Sequence, residues 1–380
     1  MIVSRLVLKN WRNFRSVDVP LGERAILLGP NASGKSNLLD VFRFLRDVAK
    51  AGGGLQRAVS QRGGLSKIRC LAARREPDVE IEVRLSGNGK EPAWRYAIGI
   101  KQEVRGYRQP YLAHERVWRG ERQLLDRPDD FDRKDKLRLT QTHLEQINAN
   151  ESFREISRFL ESILYLHLVP QLLRHPEAFL GPGVPGDPFG RSFLETVAKT
   201  PEKIRKPRLK RIEAALRKAV PQLRNLRDTR DDGGVPHLEA LYEHWRPGAA
   251  IQEDQFSDGT LRLIGLFWSL LEGDGPLLLE EPELSLHPGI VSRLPALFYR
   301  LQRRNRRQIL LSTHSPDLLS ESGIGGEEIL LLIPDRDGTK VELASSIQEV
   351  HDLLASGLSV ADAALPRTVP ANLEQLGLFE

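Results

Sequence analysis

The chain has 380 residues, of which 40% are hydrophobic and 28% charged, and this length and composition exclude a disordered or peptide-like protein. The 56 lysines and arginines barely exceed the 51 aspartates and glutamates, so the net charge of +5 does not by itself indicate a nucleic-acid partner. No run approaches about eighteen apolar residues and no secretion signal opens the chain, which predicts a cytoplasmic protein without a membrane partner. The single cysteine, Cys70, excludes an internal disulfide and fits a reducing compartment.

The first part of the chain predicts an N-terminal α/β unit followed by an antiparallel sheet. Short strand-like runs at Ile2–Leu8, Val17–Val19 and Ala25–Leu28 precede a helix. The apolar residues of that helix recur at intervals of three or four positions: Leu38, Val41, Phe42, Leu45 and Val48. Four closely spaced strands without intervening helices then predict antiparallel pairing: Val79–Leu85, Trp94–Ile100, Leu112–Trp118 and Gln123–Leu125.

The middle of the chain predicts a mainly helical insert. Helical periodicity covers Leu137–Ile147 and Phe153–Leu164, a Gly/Pro cluster interrupts it at 181–186, and helices resume at Phe193–Ala198 and Pro207–Ala219. No heptad repeat persists, which excludes a long coiled-coil arm.

From Phe256 onward, strands and helices alternate again. A helix is predicted at Leu261–Leu271, buried strands at Leu277–Leu279 and Gln308–Ser312, and a helix between them near Pro288–Gln302. We therefore expect one α/β head built from both ends of the chain: residues 1–136 and 251–345, with the insert at 137–250 and a C-terminal tail at 346–380.

The strongest motif is the phosphate-binding loop Gly29–Ser36, which matches the full pattern between a strand and a helix. Glycines let backbone N–H groups approach a phosphate, and the helix N-terminus adds partial positive charge. Lys35 would neutralise the γ-phosphate of ATP, and Ser36 would offer an oxygen to Mg²⁺. The alternative, a glycine-rich turn that only caps a helix, does not account for the complete pattern.

Two adjacent carboxylates follow the buried strand Pro276–Leu279. Glu280 would hold Mg²⁺, directly or through water, and Glu281 would position or deprotonate the attacking water. Acidic residues also end strands simply as solvated loop residues, but the phosphate loop upstream favours the functional interpretation.

His314 ends the next buried strand, at the edge where both carboxylates are expected. Its imidazole could hydrogen-bond the γ-phosphate or the attacking water, whereas a lone histidine at a strand end is often only structural. Ser257 precedes a predicted helix and is a good N-cap, and Gly259 leaves backbone N–H groups accessible.

Basic residues cluster in 201–230, a segment that contains eleven lysines and arginines and only three acidic residues. Arg208, Arg211 and Lys218 are the candidate nucleic-acid face, with a solvated helix surface as the alternative. A second basic run, from Arg300 to Arg307, permits the same interpretation.

Five segments occur in an order that resembles the ABC-type ATPase heads of the RecF/OLD group of AAA-like proteins. They are Asn10–Arg15, Gly29–Ser36, Phe256–Arg262, Leu279–Pro288 and Ser312–Pro316. The resemblance implies a P-loop ATPase of α/β fold that binds ATP and Mg²⁺ between head-to-tail subunits, in a homodimer or higher oligomer. It also implies control of DNA or of a separately encoded effector protein, in phage defence or DNA repair.

The resemblance assigns roles residue by residue. Glu281 would be the catalytic glutamate, His314 the switch histidine, and Ser257, Asp258 and Gly259 the signature that closes over ATP held by another subunit. A polar residue joining the lobes would contact Mg²⁺ beside Ser36 and Glu280, and Gln171 is the candidate. The remaining ATP-binding residues would be Gly29, Asn31, Ser33, Gly34, Lys35, Asn37 and Arg12.

Two departures from the family pattern leave alternatives open. Asp258 and Thr260 replace the usual second glycine and terminal glutamine or glutamate, and Glu280 replaces the commoner aspartate. Both put fast hydrolysis in doubt, so a non-hydrolysing ATP-binding scaffold stays an alternative, as does the nucleotide-binding subunit of a transporter. A C-terminal Toprim nuclease is not expected, because Asp335–Gly338 is typical of a hairpin turn between Ile329–Ile333 and Lys340–Leu343.

Overall fold

The computed structural model describes residues 1–73, 78–87, 92–103, 108–176, 187–243 and 250–369. The strands in chain order are β1 (Ile2–Trp11), β2 (Phe14–Pro20), β3 (Arg24–Leu28), β4 (Val79–Ser86), β5 (Pro92–Gln102), β6 (Pro110–Arg119), β7 (Arg122–Arg127), β8 (Leu164–Leu166), β9 (Leu223–Arg230), β10 (Pro236–Tyr242), β11 (Ala250–Gln252), β12 (Leu277–Glu280), β13 (Ile309–Ser312), β14 (Ile329–Asp335) and β15 (Gly338–Leu343).

The α-helices are α1 (Lys35–Ala49), α2 (Leu55–Ser60), α3 (Leu65–Ile68), α4 (Asp130–Lys134), α5 (Arg154–Glu161), α6 (Pro170–Arg174), α7 (Phe193–Lys199), α8 (Glu202–Ala219), α9 (Asp258–Leu271), α10 (Pro288–Val291), α11 (Leu294–Asn305), α12 (Pro316–Leu319), α13 (Gln348–Ala355) and α14 (Val360–Ala364). No helix among the described residues has the length and hydropathy needed to cross a bilayer.

A six-stranded sheet forms the centre of the head, in the order β15-β14-β3-β13-β12-β8. β14, β3, β13, β12 and β8 run parallel, and β15 is antiparallel to β14. Ala25–Leu28, Leu277–Leu279 and Ile309–Leu311 are buried, because helices cover both faces of this sheet. The carboxyl ends of β3, β13, β12 and β8 meet at one edge, which is where α/β proteins bind ligands.

A second six-stranded sheet, ordered β2-β1-β4-β5-β6-β7, is antiparallel throughout. In β4 the side chains of Val79, Ile81, Val83 and Leu85 are buried and alternate with more exposed charged residues. This alternation is what one buried face requires. The mixed α/β fold and the predicted antiparallel strands are therefore confirmed.

The insert contains a sheet that the sequence analysis did not predict. Helices α7 and α8 are present, with α8 beginning at Glu202 and Pro207 lying inside it. β9, β10 and β11 form a three-stranded antiparallel sheet beside them. The apolar face of α8 and residues of β9 and β10 share one core, with Leu209, Ile212, Leu216, Leu223, Leu238 and Trp268. The Gly/Pro cluster 181–186 lies outside the described residues.

The predicted helix at Leu137–Ile147 is wrong, since only a 3-10 turn at Lys136–Thr140 forms there. The buried guanidinium of Arg127 donates to the carbonyls of Arg138 and Gln141, both at 2.9 Å. The buried carboxylate of Glu115 accepts the N–H groups of His143 and Leu144 at 2.7 and 3.1 Å. These bonds take up backbone groups that a helix would pair internally.

The C-terminal part of the described chain is not a tail. The hairpin β14–β15 forms as predicted, with Asp335 opposite Gly338. Beyond it, α13 and α14 pack on the central sheet, with Val350, Val360 and Ala364 buried. The expected tail at 346–380 therefore belongs to the folded head at least as far as α14.

Candidate functional site

The loop Gly29–Ser36 leads from β3 into α1 and keeps its backbone closely packed. Gly34 has φ +101°, and a Cβ there would lie 2.2 Å from the Asn13 amide nitrogen, so only glycine fits without strain. A Cβ at Gly29 would lie 2.7 Å from the carbonyl oxygen of Leu332. The Ser33 hydroxyl is fully buried and has no partner among the described residues, while Asn31 is exposed at the turn.

Asn13, between β1 and β2, fastens this loop to the rest of the head. Its amide nitrogen donates to the Ser33 carbonyl and to Thr339 Oγ1, both at 2.8 Å. Its amide oxygen accepts from Asn37 Nδ2 at 2.8 Å. Trp11 Nε1 donates to the Asn37 carbonyl at 2.8 Å. The β1–β2 hairpin is therefore hydrogen-bonded to the phosphate loop and to the first turn of α1.

Lys35 turns its ammonium group back onto its own loop. Its Nζ donates to the carbonyls of Gly29 and Pro30, at 2.9 and 3.2 Å, and the residue is 8% exposed. Burial lowers the pKa of Lys35, although Glu281 and Glu280 attract the charge. Within the described ranges, no carboxylate lies at ion-pair distance from this ammonium group.

Glu280, the last residue of β12, is held by two hydroxyl groups. Ser36 Oγ donates to Glu280 Oε1, and the Tyr165 hydroxyl, from β8, donates to Oε2. β8 pairs in parallel with β12, and Tyr165 lies opposite Leu278. The Arg43 guanidinium lies 4.2 Å from the centre of the Tyr165 ring. Burial, together with the neighbouring Glu280, raises the pKa of Tyr165.

Glu281 and His314 face each other one strand apart. Glu281 has φ +44°, which turns the chain sharply at the end of β12, and its N–H donates to the Ser312 carbonyl at 3.0 Å. His314 Nε2 lies 3.6 Å from Glu281 Oε1. Burial lowers the pKa of His314, and the nearby Lys35 charge adds to the effect. The imidazole is therefore favoured in its neutral form near neutral pH.

These groups fit a nucleotide phosphate with a divalent cation. Within the described part of the chain, the Ser33 hydroxyl has no partner and Lys35 Nζ bonds to carbonyls of its own loop. Together with the glycine backbone, these groups form a cradle for an anion. Ser36 Oγ and the Glu280 carboxylate are hard oxygen donors of the kind that Mg²⁺ prefers.

The segment Ser257–Gly259 lies at the start of α9 and, at Gly259, packs against the loop that follows β12, not against the phosphate loop Gly29–Ser36. Ser257 caps α9 by accepting from the Thr260 N–H at 3.2 Å, as predicted for an N-cap. A Cβ at Gly259 would lie 2.8 Å from the carbonyl oxygen of Ser285, so this segment packs on the loop after β12. Asp258 is bound by Arg174 at 2.7 Å and by Gln171 Nε2 at 3.0 Å.

Three residues have surroundings other than those expected. Gln171 contacts Asp258, whereas the side chain from this part of the chain that reaches Glu280 is Tyr165. Arg12 pairs with Asp40 of α1, with Nη2 and Oδ2 2.7 Å apart. The Arg208 guanidinium stacks over Trp268 at 4.5 Å, while Arg211 and Lys218 are exposed.

Arg307 is also not part of a basic surface. It is buried and donates to the carbonyls of Gly275 and Ser269, each at 2.6 Å. This residue therefore has a structural role, and the interpretation of Arg300–Arg307 as one phosphate-tracking run is wrong at this position.

Tyr165 could not have been found from the sequence. It is one aromatic residue in a three-residue strand, and its partner Glu280 lies 115 positions away. Only a weak indication in the sequence pointed to a contact of Asn13 with the phosphate loop, namely its position in the turn between the first two predicted strands.

The fold and the loop together define an ABC-type P-loop ATPase head. A family model described as "AAA domain, putative AbiEii toxin, Type IV TA system" matches residues 24–320, and the chain belongs to this family. No curated protein matches the chain.

Solved Smc heads share this fold. An Smc head bound to the C-winged helix domain of ScpA aligns at 14% identity and TM-score 0.54, over 90% of this chain and 98% of the other. An Smc head with an extended coiled coil, bound to the C-terminal domain of ScpA derived from Pyrococcus furiosus, aligns at 13% identity and TM-score 0.51. An Smc head with a coiled coil and joint from Pyrococcus yayanosii aligns at 13% identity and TM-score 0.50. Each of these two alignments covers 93% of this chain and 99% of the other.

Proposed function

We propose that this protein binds and hydrolyses ATP between two head-to-tail copies of itself and uses the nucleotide as a conformational switch. The observation that carries the proposal is the convergence of Ser36, Glu280, Glu281 and His314 at one sheet edge, beside the loop of Lys35. Strands β3, β13 and β12 bring them together, although the residues are far apart in sequence.

Each side chain has a role that its position permits. Lys35 moves from its carbonyl partners to the γ-phosphate, where its charge offsets the negative charge that the phosphate carries. Glu281 orients the attacking water and accepts its proton, and neutral His314 hydrogen-bonds the γ-phosphate or the water. Ser36 and Glu280 would hold Mg²⁺, which supplies charge neutralisation on the phosphates when bound.

Ser257, Asp258 and Gly259 would act on ATP held by the other copy. Support comes from Gly259, where the three atoms nearest to an added Cβ belong to Ser285 and Leu286 and not to the phosphate loop of the same chain. Leu284 is 39% exposed in the same region and would contact the partner. ATP bound between both segments would favour the closed dimer, because only that state makes both sets of contacts.

A mixing experiment tests the shared site. Lys35→Met and Ser257→Arg should each abolish hydrolysis, measured as phosphate release. In their mixture, heterodimers regain one intact site, so we expect about a quarter of wild-type activity from random pairing. A mixture as inactive as its components, with heterodimers verified by mass, would refute a site built from two copies. Absence of phosphate release from the wild type would instead favour the non-hydrolysing scaffold.

We propose nucleic acid as one partner, on the exposed face of α8. Lys203, Lys210 and Arg217 repeat every seventh residue, so they lie on one side of the helix, about 10 Å apart. Arg211 and Lys218 extend that side, and all five are exposed and form no ion pair within the described residues. A row of regularly spaced positive charges is complementary to the regularly spaced negative charges of a phosphate backbone, whereas a neutral protein surface would offer it no counter-charges.

The stripe is tested by salt-dependent binding of duplex DNA. Replacing Lys210, Arg211 and Lys218 by alanine should weaken binding and reduce the slope of log K against log salt by roughly one per lost phosphate contact. The control, Arg208→Ala, removes the contact with Trp268. It should lower the melting temperature of the protein and leave the slope of log K against log salt close to that of the wild type. Equal slopes for the wild type and the triple variant would exclude this face.

We further propose that the chain belongs to the RecF/OLD branch, with a role in phage defence and a separately encoded effector. The family description refers to an AbiEii toxin of a type IV TA system, which supports a defence setting. Co-expression with neighbouring gene products, with and without ATP, tests whether one of them binds the closed dimer.

A further inference from the structure

Glu283 is tied to the strand end that carries His314. Its Oε1 accepts hydrogen bonds from Thr313 Oγ1 and, at 3.3 Å, from the His314 N–H. Thr313 is fully buried, and its hydroxyl oxygen also accepts the Ser315 N–H at 3.0 Å. The backbone on both sides of His314 therefore depends on one carboxyl group from another segment.

The same residue is part of the loop that packs on the Ser257–Gly259 segment. The Glu283 carbonyl accepts the Leu286 N–H at 3.0 Å, and the Leu284 N–H bonds to the Glu281 carbonyl at 3.2 Å. Ser285 has φ +62° and makes the close approach to Gly259. Residues 284–286 are therefore joined to the backbone of Glu281 and Glu283 by local hydrogen bonds.

The hydrogen bonds of the Glu283 carboxyl group are incomplete. Its Oε2 is buried and has no hydrogen-bond partner among the described residues. Burial raises the pKa of Glu283, and the neighbouring Glu281 charge adds to the effect. A buried and incompletely satisfied carboxyl costs stability, which an apolar residue would avoid.

We propose that Glu283 is a positioning residue that couples the loop 284–286 to His314, so that partner contact at the loop sets the distance between His314 and Glu281. The kinetic consequence rests on the proposed ATP hydrolysis, whereas the coupling itself is a property of the ligand-free chain. Glu283 acts through the Thr313 hydroxyl and the His314 N–H, and not through the His314 imidazole.

Coupling in the ligand-free protein is tested by NMR of histidine side chains labelled at Cε1. The His314 signal is assigned by its loss in His314→Ala. Leu284→Ala, at the exposed loop, should shift this signal in the wild-type background and leave it unshifted in a Glu283→Ala background. An equal shift in both backgrounds would overturn the coupling, whether or not the protein hydrolyses ATP.

A double-mutant cycle on hydrolysis tests the consequence. Glu283→Ala should reduce kcat about tenfold when His314 is present and change it less than twofold in a His314→Ala background, because residues acting as a unit are not additive. Thr313→Val, which removes only the hydroxyl donor, serves as the second variant should Glu283→Ala fold poorly.

Glu145 provides a matched control for a purely structural role. It is also a carboxylate whose pKa is raised by burial, and it accepts from Thr142 Oγ1 at 2.9 Å and from the Leu55 N–H at 2.8 Å. Glu145→Ala should lower the melting temperature, and its effect on kcat should be the same with or without His314. If the effect of Glu283→Ala on kcat is also the same with and without His314, Glu283 has a structural role only.

Discussion

Glu281 Oε1 and His314 Nε2 lie 3.6 Å apart at the ends of two adjacent parallel strands. A carboxylate and an imidazole at this separation can act on one water molecule or on neighbouring oxygens of a phosphate. Burial and the Lys35 charge lower the pKa of His314, which favours the neutral form of its imidazole.

Glu281→Gln removes the proton acceptor and keeps the shape of the side chain. We expect turnover to fall by about 10²–10⁴-fold, the range typical of lost general-base catalysis. ATP-dependent dimers should persist, because the groups that bind the phosphates are unchanged. Phosphate release and particle mass measured together check this, and normal turnover in the variant would remove Glu281 from the reaction.

Lys35→Met should separate nucleotide binding from folding. Loss of a charged hydrogen bond to phosphate costs about 1.5–3 kcal/mol, so nucleotide affinity should fall at least roughly tenfold. The melting temperature without nucleotide should not fall, because burial already disfavours the Lys35 charge. Thermal shift with and without Mg-ATP measures both quantities, with the exposed Lys340→Met as control. A large loss of stability without nucleotide would contradict the assignment.

Gly34→Ala and Gly52→Ala form a matched pair. Both glycines have positive φ, +101° and +68°, so each substitution carries a backbone cost of about 1–2 kcal/mol. Of the two added Cβ atoms, the one at Gly34 meets the Asn13 side chain, whereas at Gly52 none of the described residues beyond the chain neighbours lies within 4 Å. Urea unfolding should therefore show the larger loss for Gly34→Ala. Equal losses would mean that Asn13 does not constrain the loop.

Arg127→Met should be among the most destabilising changes outside the site. Arg127 is 1% exposed and bonds to Glu115 and Asp132, at 3.0 and 2.8 Å. Its removal leaves the buried Glu115 without a charged partner among the described residues and leaves Asp132 with Arg138 alone, at 3.3 Å. The expected loss is about 3–5 kcal/mol. On the same pair of strands, Arg116 pairs with Asp126 in solvent, and Arg116→Met should cost less than about 1 kcal/mol. Similar losses for the two variants would contradict the buried network.

The stability of the protein should fall on mild acidification through His143. Burial, with the nearby Arg127 charge, lowers the pKa of His143 from 6.5 to about 4. Below pH 6.5 the unfolded chain binds a proton that the folded chain does not accept until about pH 4, so stability decreases across this window. His143→Gln should reduce the drop in melting temperature between pH 7 and pH 5. The exposed His351→Gln should leave that drop unchanged, and an unchanged drop in both variants would exclude His143 as its cause.

Features that depend on short segments could be predicted from the order of the amino acids alone. The strands around Gly29–Ser36, the helix after it and the N-cap at Ser257 follow from local spacing and from backbone requirements of the loop. The hairpin at Asp335–Gly338 follows from its turn residues for the same reason. The resemblance of five ordered segments identified the class of ATPase because those segments carry the chemistry.

Contacts between side chains far apart in sequence could not be predicted in this way, because they depend on the packing of the folded chain. Tyr165 reaches Glu280 because β8 lies beside β12, and strand order within a sheet is not encoded in the spacing of either strand. Gln171 faces Asp258 because α6 packs near the start of α9. The apolar spacing of Leu137–Ile147 did not produce a helix, because the buried Arg127 and Glu115 bind that backbone from other strands. At Leu137–Ile147 the long-range contacts outweigh the local preference, since the buried Arg127 and Glu115 require hydrogen-bond partners.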